Sequence, residues 1–248
     1  MINKSAVKYI QSLQHKKFRD EHGAFIAEGP KVVTELLQYN QFECEQIYCT
    51  LIGFDCLSDK IKNENKGKFI EVADFELDKI SALSTANNIL AVFIKKPVLQ
   101  SVNISHKLTL FLDDIQDPGN LGTIIRTADW FGVETIFCSN GTADCYNPKV
   151  VQSTMASLGR VNMLYGDIIN ELQKHSNIKK YAAVLTGKDL KDVEKIKEGI
   201  LIIGNESKGI SSPVIQLVNE KITIPKIGSA ESLNAAVAAG IILYAITN

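Results

Sequence analysis

A chain of 248 residues, 45% hydrophobic and 22% charged, is long enough for one large or two ordinary cores and reads as a soluble globular protein. Its formal net charge of −1 neither requires nor excludes a nucleic-acid partner, because phosphate binding depends on a local basic surface rather than a basic total. One local bias exists: Lys4, Lys8, Lys16, Lys17 and Arg19 all precede the first acidic residue, Asp20.

The opening residues MINKSAVKYIQSL lack the apolar core of a signal peptide, and the apolar run Ala235 to Ile246 is shorter than the roughly 20 residues a membrane span needs. Cys44, Cys49, Cys56, Cys138 and Cys145 form no C-x-x-C pair and have no histidine at metal-ligand spacing. They are expected to be reduced, packed thiols in a cytoplasmic protein without a metal.

Apolar runs and turn signals alternate along the chain. The first part predicts a strand at AFIAE (24–28), a helix at PKVVTELLQY opened by Pro30, and a strand at QIYCT. A strand at KFIEV, a helix from Asp74 and a strand at ILAVFIK follow. The stretch 98–106 has no clear periodicity and is the expected linker between a domain over 1–97 and a second over 107–248. There the pattern restarts with a buried strand at LTLFLD (108–113) and a helix from about Asn120 to Phe131. Further strands fit TIFCS, VNMLY, YAAVLT, ILIIG and KITIP. Strands alternating with helices predict a mostly parallel sheet covered on both faces.

In such sheets ligands bind beyond the carboxyl ends of the strands, which directs attention to four loops: DDIQDPGNLG, LTGKD, IGNESKGIS and IPKIGSAESLN. Asn120 is suited to cap the helix after the first loop, and Arg126 lies off that helix's apolar stripe of Leu121, Ile124, Ile125, Ala128 and Phe131. Taken alone, Arg126 is a surface arginine bridged to a neighbouring acid. Glu206 follows a buried strand that ends at Gly204, with Gly209 to turn the backbone; alone, it could cap the next helix. Ser232 can cap the final helix with Asn234 in its first turn. That helix is apolar nearly all round, hence expected to be buried nearly all round. GNLGTI is not the G-x-G-x-x-G of a dinucleotide fold, and no phosphate-binding G-x-x-x-x-G-K-[ST] occurs.

In this order, NLGTIIRTADWFGV, LIIGNESKGIS and ITIPKIGSAESLNAAVAAGIILY resemble the three signature motifs of the SpoU (TrmH-like) ribose 2′-O-methyltransferases of the SPOUT superfamily. The resemblance spans roughly 106 to 248. Ahead of it, KFRDEHGAFIAEGPKVVTELL resembles the small ribosomal-protein-like α/β domain by which many members recognise RNA. The resemblance implies an α/β fold with a C-terminal trefoil knot, S-adenosylmethionine as methyl donor, a structured RNA as acceptor, and a homodimer with active sites near the subunit interface. By motif position it implies catalytic roles for Asn120, Arg126, Glu206, Ser232 and Asn234. Gly204, Ile224 and Leu233 then hold the adenosyl group, with Leu185, Thr186 and Gly187 lining the same pocket. Ser207 and Ala156 stand where many members have glycine. The N-terminal domain favours ribosomal over transfer RNA. A transfer-RNA ribose methyltransferase and a non-catalytic RNA-binding protein of the same fold remain as alternatives.

Overall fold

The computed structural model describes residues 2–39, 41–97 and 104–247; most of the linker expected over 98–106 lies outside the described residues. The chain forms two compact units, Met1–Pro97 with Asp144–Gly159, and Val98–Ala143 with Arg160–Asn248.

The first unit runs α1 (Lys4–Ser12), α2 (Lys16–His22), β1 (Ala24–Glu28), α3 (Pro30–Gln38), β2 (Cys44–Cys49), α4 (Leu51–Asp55), α5 (Asp59–Glu64), β3 (Phe69–Glu71), α6 (Asp74–Ile80) and β4 (Ile89–Ile94). Its four-stranded sheet has the order β1-β4-β2-β3. β4 is antiparallel to both neighbours, and β2 and β3 are parallel. β1 and β4 read as continuous apolar runs because each is buried along nearly its whole length. Ile10 and Leu13, from and just after α1, share a core cluster with Ile26, Tyr48, Leu77, Leu90 and Val92. The segment 144–159 joins this unit. The Tyr146 ring lies 4.9 Å from that of Phe25, and Asp144 accepts from the Arg19 guanidinium at 2.6 and 3.1 Å.

Four short helices of the first unit, α1, α2, α4 and α5, are not among the elements that the periodicity predicts. A side-chain cap marks the first: Asn3 accepts from the Ala6 amide at 2.8 Å, the usual way a helix end satisfies an orphan donor.

The second unit contributes β5 (Leu108–Asp113), α7 (Pro118–Trp130), β6 (Thr135–Ser139), β7 (Asn162–Gly166), α9 (Ile168–Lys174), β8 (Lys180–Asp189), β9 (Gly199–Gly204), α10 (Ser212–Ile215), β10 (Glu220–Thr223) and α11 (Ala235–Thr247), while α8 (Pro148–Thr154) falls in the segment that joins the first unit. Its six strands have the order β10-β8-β9-β5-β6-β7 and pair in parallel throughout. Phe111, Phe137, Leu164, Leu172, Ile200 and Ile202 form a core cluster with α9, and α7 packs against α11. β10 ends at Thr223, two residues short of the expected strand end at Pro225.

The final helix departs from expectation in one respect. Ala235, Ala236, Ala239, Ile242, Leu243 and Ile246 are buried, but Val237, Ile241 and Tyr244 form an exposed stripe at helical spacing. The helix is apolar all round and buried on one side only.

Candidate active site

The strand order reverses direction between β5 and β9: β6 and β7 lie beyond β5, and β8 and β10 lie beyond β9. A crevice opens at the carboxyl edge of such a switch point, and the loops after β5 and β9 face it.

Asp117 caps α7 by accepting from the Asn120 amide at 2.8 Å, and Pro118 occupies the first helical position. Asn120 is therefore the third residue of the helix rather than its cap, and its side chain is available for other partners. Its Nδ2 donates to Glu206 Oε1 at 2.6 Å, and its Oδ1 accepts from Asn234 Nδ2 at 2.8 Å. Asn234 in turn caps α11, its Oδ1 accepting from the amides of Ala236 and Val237 at 2.9 and 3.2 Å. The cap expected of Ser232 thus belongs to Asn234, because only the residue immediately ahead of the helix can reach its first free amides.

The loop after β9 is held by backbone and by one amide. Asn205 and Gly209 exchange two backbone hydrogen bonds of 3.1 and 2.9 Å, with Gly209 at φ 69°. A β-carbon on Gly204 would lie 2.4 Å from the Gly209 carbonyl carbon and the Ile210 nitrogen, so only glycine lets the loop fold back this closely. Asn205 donates from Nδ2 to the Asp114 carbonyl at 2.8 Å and accepts at Oδ1 from the amides of Ser207 and Lys208. It braces the loop against the one after β5 and presents Glu206 to Asn120. The sequence marked Asn205 only by its place at a strand end; the bracing contact joins residues 91 apart and leaves no local trace.

The third wall comes from an irregularity. Lys221 pairs with Ala182, but the next residue, Ile222, pairs with Lys188. Residues 183–187 are left out of the ladder as a large bulge, a device that bends a strand beside a site. Thr223 ties it down by donating from Oγ1 to the Leu185 carbonyl at 3.1 Å.

The bulge of β8, the loop after β9, the segment between β10 and α11, and α11 itself line a cavity of about 890 Å³, within the size range of pockets that bury a drug-sized ligand. Leu185, Thr186, Gly204, Glu206, Ile224, Ser232 and Leu233 line it, with Ala235, Ala238 and Ile242 of α11. Gly187 does not: it is pressed against the backbone of Lys221 and Ile222, where a β-carbon would meet the Lys221 carbonyl oxygen at 2.6 Å. Asn120 and Asn234 join the site through their hydrogen bonds. Arg126 stands apart from the cavity on the exposed face of α7, with no side-chain partner among the described residues. The acid expected to bridge it is not there. Trp130, one turn on, is 84% exposed.

Comparison with known proteins bears on this geometry. The family model of the SpoU rRNA methylases matches residues 107–244, and that of the MRM3-like substrate binding domain matches residues 4–91. The 23S rRNA (guanosine(2553)-2′-O)-methyltransferase RlmP of Bacillus subtilis is 28% identical, the match covering 96% of this chain and 94% of that protein. Among solved structures, a protein from Porphyromonas gingivalis assigned to the TrmH family of RNA methyltransferases superposes with a TM-score of 0.87 at 34% identity, over 99% of this chain and 98% of that one. An AdoMet-bound rRNA methyltransferase from Sinorhizobium meliloti superposes with a TM-score of 0.86 at 27% identity, over 99% and 95%.

Proposed function

Because the chain belongs to the SpoU rRNA methylase family, we propose that it methylates a ribose 2′-hydroxyl of ribosomal RNA with S-adenosylmethionine as donor. The observation that supports this best is the hydrogen-bonded chain Glu206–Asn120–Asn234 at the rim of the 890 Å³ cavity. The cavity suits the donor: Leu185, Ile224 and Leu233 offer apolar wall and backbone polar groups to an adenosyl moiety. When bound, the donor supplies an electrophilic methyl group on a sulfonium.

The protein's task is then to align a hydroxyl with that carbon and ease the loss of its proton. Glu206 fixes Asn120 through a charge-assisted bond, Asn120 fixes Asn234, and Ser232, exposed beside them, is free to hold the ribose. A guanidinium makes a poor base, so Arg126 acts as a cation rather than as the proton acceptor. It grips the neighbouring phosphate and stabilises the developing alkoxide. A pH-rate profile of Arg126→Lys tests that role: a new ionisation near the lysine pKa with most activity kept would transfer the base role to residue 126.

A homodimer belongs to the same reading. Arg126 lies outside its own cavity, on α7 with the exposed Trp130, and α7 packs against α11, whose Val237, Ile241 and Tyr244 are exposed, apolar side chains of the kind that mark an interface. A second subunit there would cover these side chains and bring the arginine toward a site. The division into an RNA-binding part over 1–97, a linker over 98–106 and a methyltransferase part over 107–248, the threaded C-terminus and a cytoplasmic location complete the proposal.

Mapping of 2′-O-methylation over unmodified large-subunit ribosomal RNA and transfer RNA, incubated with labelled S-adenosylmethionine, is the deciding experiment. One modified ribosomal position is expected. Label in transfer RNA alone would change the substrate, and no label in any RNA with cofactor bound would leave an RNA-binding protein.

A further inference from the structure

The cationic opening of the chain has no part in the site described above. Five cations precede the first acid, and the structure separates them by role. Arg19 is 1% exposed. Its guanidinium donates to Asp144 and to the carbonyls of Leu13 and Gln14, which fixes the turn between α1 and α2. The other four, Lys4, Lys8, Lys16 and Lys17, are exposed.

On α1 the residues Ile10 and Leu13 define the buried side, and Lys4 and Lys8, four apart, fall on the opposite face. Lys16 and Lys17 open α2 directly after the turn. None of the four forms an ion pair among the described residues, and the nearest acid of α2, Asp20, is drawn to Lys95 at 2.6 Å. Glu21, four residues after Lys17, is exposed and leaves a net positive surface. Phe18 lies within it, half-buried, with the Lys17 ammonium 5.7 Å from its ring centre and the His15 ring edge-on at 6.5 Å.

Unpaired lysines spread over a rigid helical pair, interleaved with rings, suit a polyphosphate backbone rather than a compact ligand. We infer that α1 and α2 form an RNA-backbone docking surface, with Arg19 as the internal strut that holds the lysines in place. The inference rests on the reading of the chain as an RNA methyltransferase and adds where the acceptor is gripped away from the chemistry.

The test uses the full chain and transcribed, unmodified large-subunit ribosomal RNA. Lys4, Lys8, Lys16 and Lys17 are replaced together by glutamine, and a control replaces Lys60, Lys66, Lys174 and Lys197, which are exposed elsewhere. Binding is measured from 50 to 300 mM salt, with cofactor affinity and thermal stability in parallel. The four-lysine variant is expected to lower the slope of log affinity against log salt by about 3 and to raise KM for RNA roughly tenfold or more. Its kcat, cofactor affinity and melting temperature should be unchanged. The pair Lys4→Gln and Lys8→Gln should give about half the slope change. An unchanged slope in the variant, or an equal loss in the control, overturns the docking surface while wild-type methylation leaves the enzyme reading standing. Absence of RNA binding by the wild-type chain overturns both.

Discussion

At Glu206 one carboxylate oxygen accepts from Asn120 at 2.6 Å, and Asn120 touches the cap of the last helix. Glu206→Gln keeps the shape and weakens that bond. Steady-state kinetics should show turnover reduced roughly ten- to hundredfold, while the dissociation constant for S-adenosylmethionine changes less than threefold. Equal losses in both would place Glu206 in the cofactor site. The cysteines offer a second check. Burial pushes the Cys44 thiol up to about 12 and the Cys49 thiol up to about 11, and Cys138 and Cys145 are buried, whereas Cys56 is exposed. Only a thiolate reacts readily, so a thiol reagent at pH 8 should titrate one cysteine in the native protein and five after denaturation. Two fast native thiols would contradict this packing. The motif order carries the expectation that Asn120, Glu206 and Asn234 share a site, and hydrogen bonds link the three, but the helix caps fall on other residues than expected. The pair Asp117-Pro118 already holds a cap followed by a first-turn proline, and Asn120 resembles a cap only locally, because its side-chain partners lie 86 and 114 residues away.

At the level of elements, strands such as Leu108–Asp113 and Thr135–Ser139 coincide with their apolar runs, since a strand buried on both faces leaves an unbroken signal. The bulge in β8 left none. Its residues continue an ordinary strand pattern, and only the pairing of β10 expels them. Gly187 is what permits that crossing. Gly187→Ala would press a β-carbon onto the Lys221 carbonyl and should cost about 1–3 kcal/mol of stability. Calorimetry should also show weaker cofactor binding, because Leu185 and Thr186 are carried by the same bulge; unaltered affinity would separate the bulge from the pocket. The last helix shows a different limit of periodicity. Apolar residues on every side demand burial on every side, but the pattern does not say whether a neighbouring element or a second subunit provides it.

For the whole molecule, the most informative change is removal of everything after Gly240. That deletion takes away the buried side chains of Ile242, Leu243 and Ile246, each contributing roughly 1.5–3 kcal/mol. It also removes the bond from the Ile196 amide to the Ile246 carbonyl at 2.8 Å. The sum approaches the net stability of a typical domain. Truncated protein should lose S-adenosylmethionine binding by calorimetry and dimerisation by sedimentation, and a truncated dimer that binds cofactor would reduce the helix to ordinary core. Tyr244→Asp is the milder companion. It should give a folded monomer, since the side chain is 64% exposed. The restart of the pattern at Leu108 coincides with the start of β5. The grouping of residues 144–159 with the first unit has no local signal, because it includes the buried partnership of Arg19 with Asp144, 125 positions apart.

The amide chain at the site also has a direction. Each link donates toward the carboxylate: the first amides of α11 to Asn234, Asn234 to Asn120, and Asn120 to Glu206. The partly positive end of a helix and a negative side chain therefore terminate one polarised relay, and neither amide can be turned over without setting like atoms against each other. Shape alone does not satisfy such a relay. Asn120→Asp, nearly identical in volume, would oppose two carboxylates and should do more harm than Asn120→Ala, which merely leaves a gap.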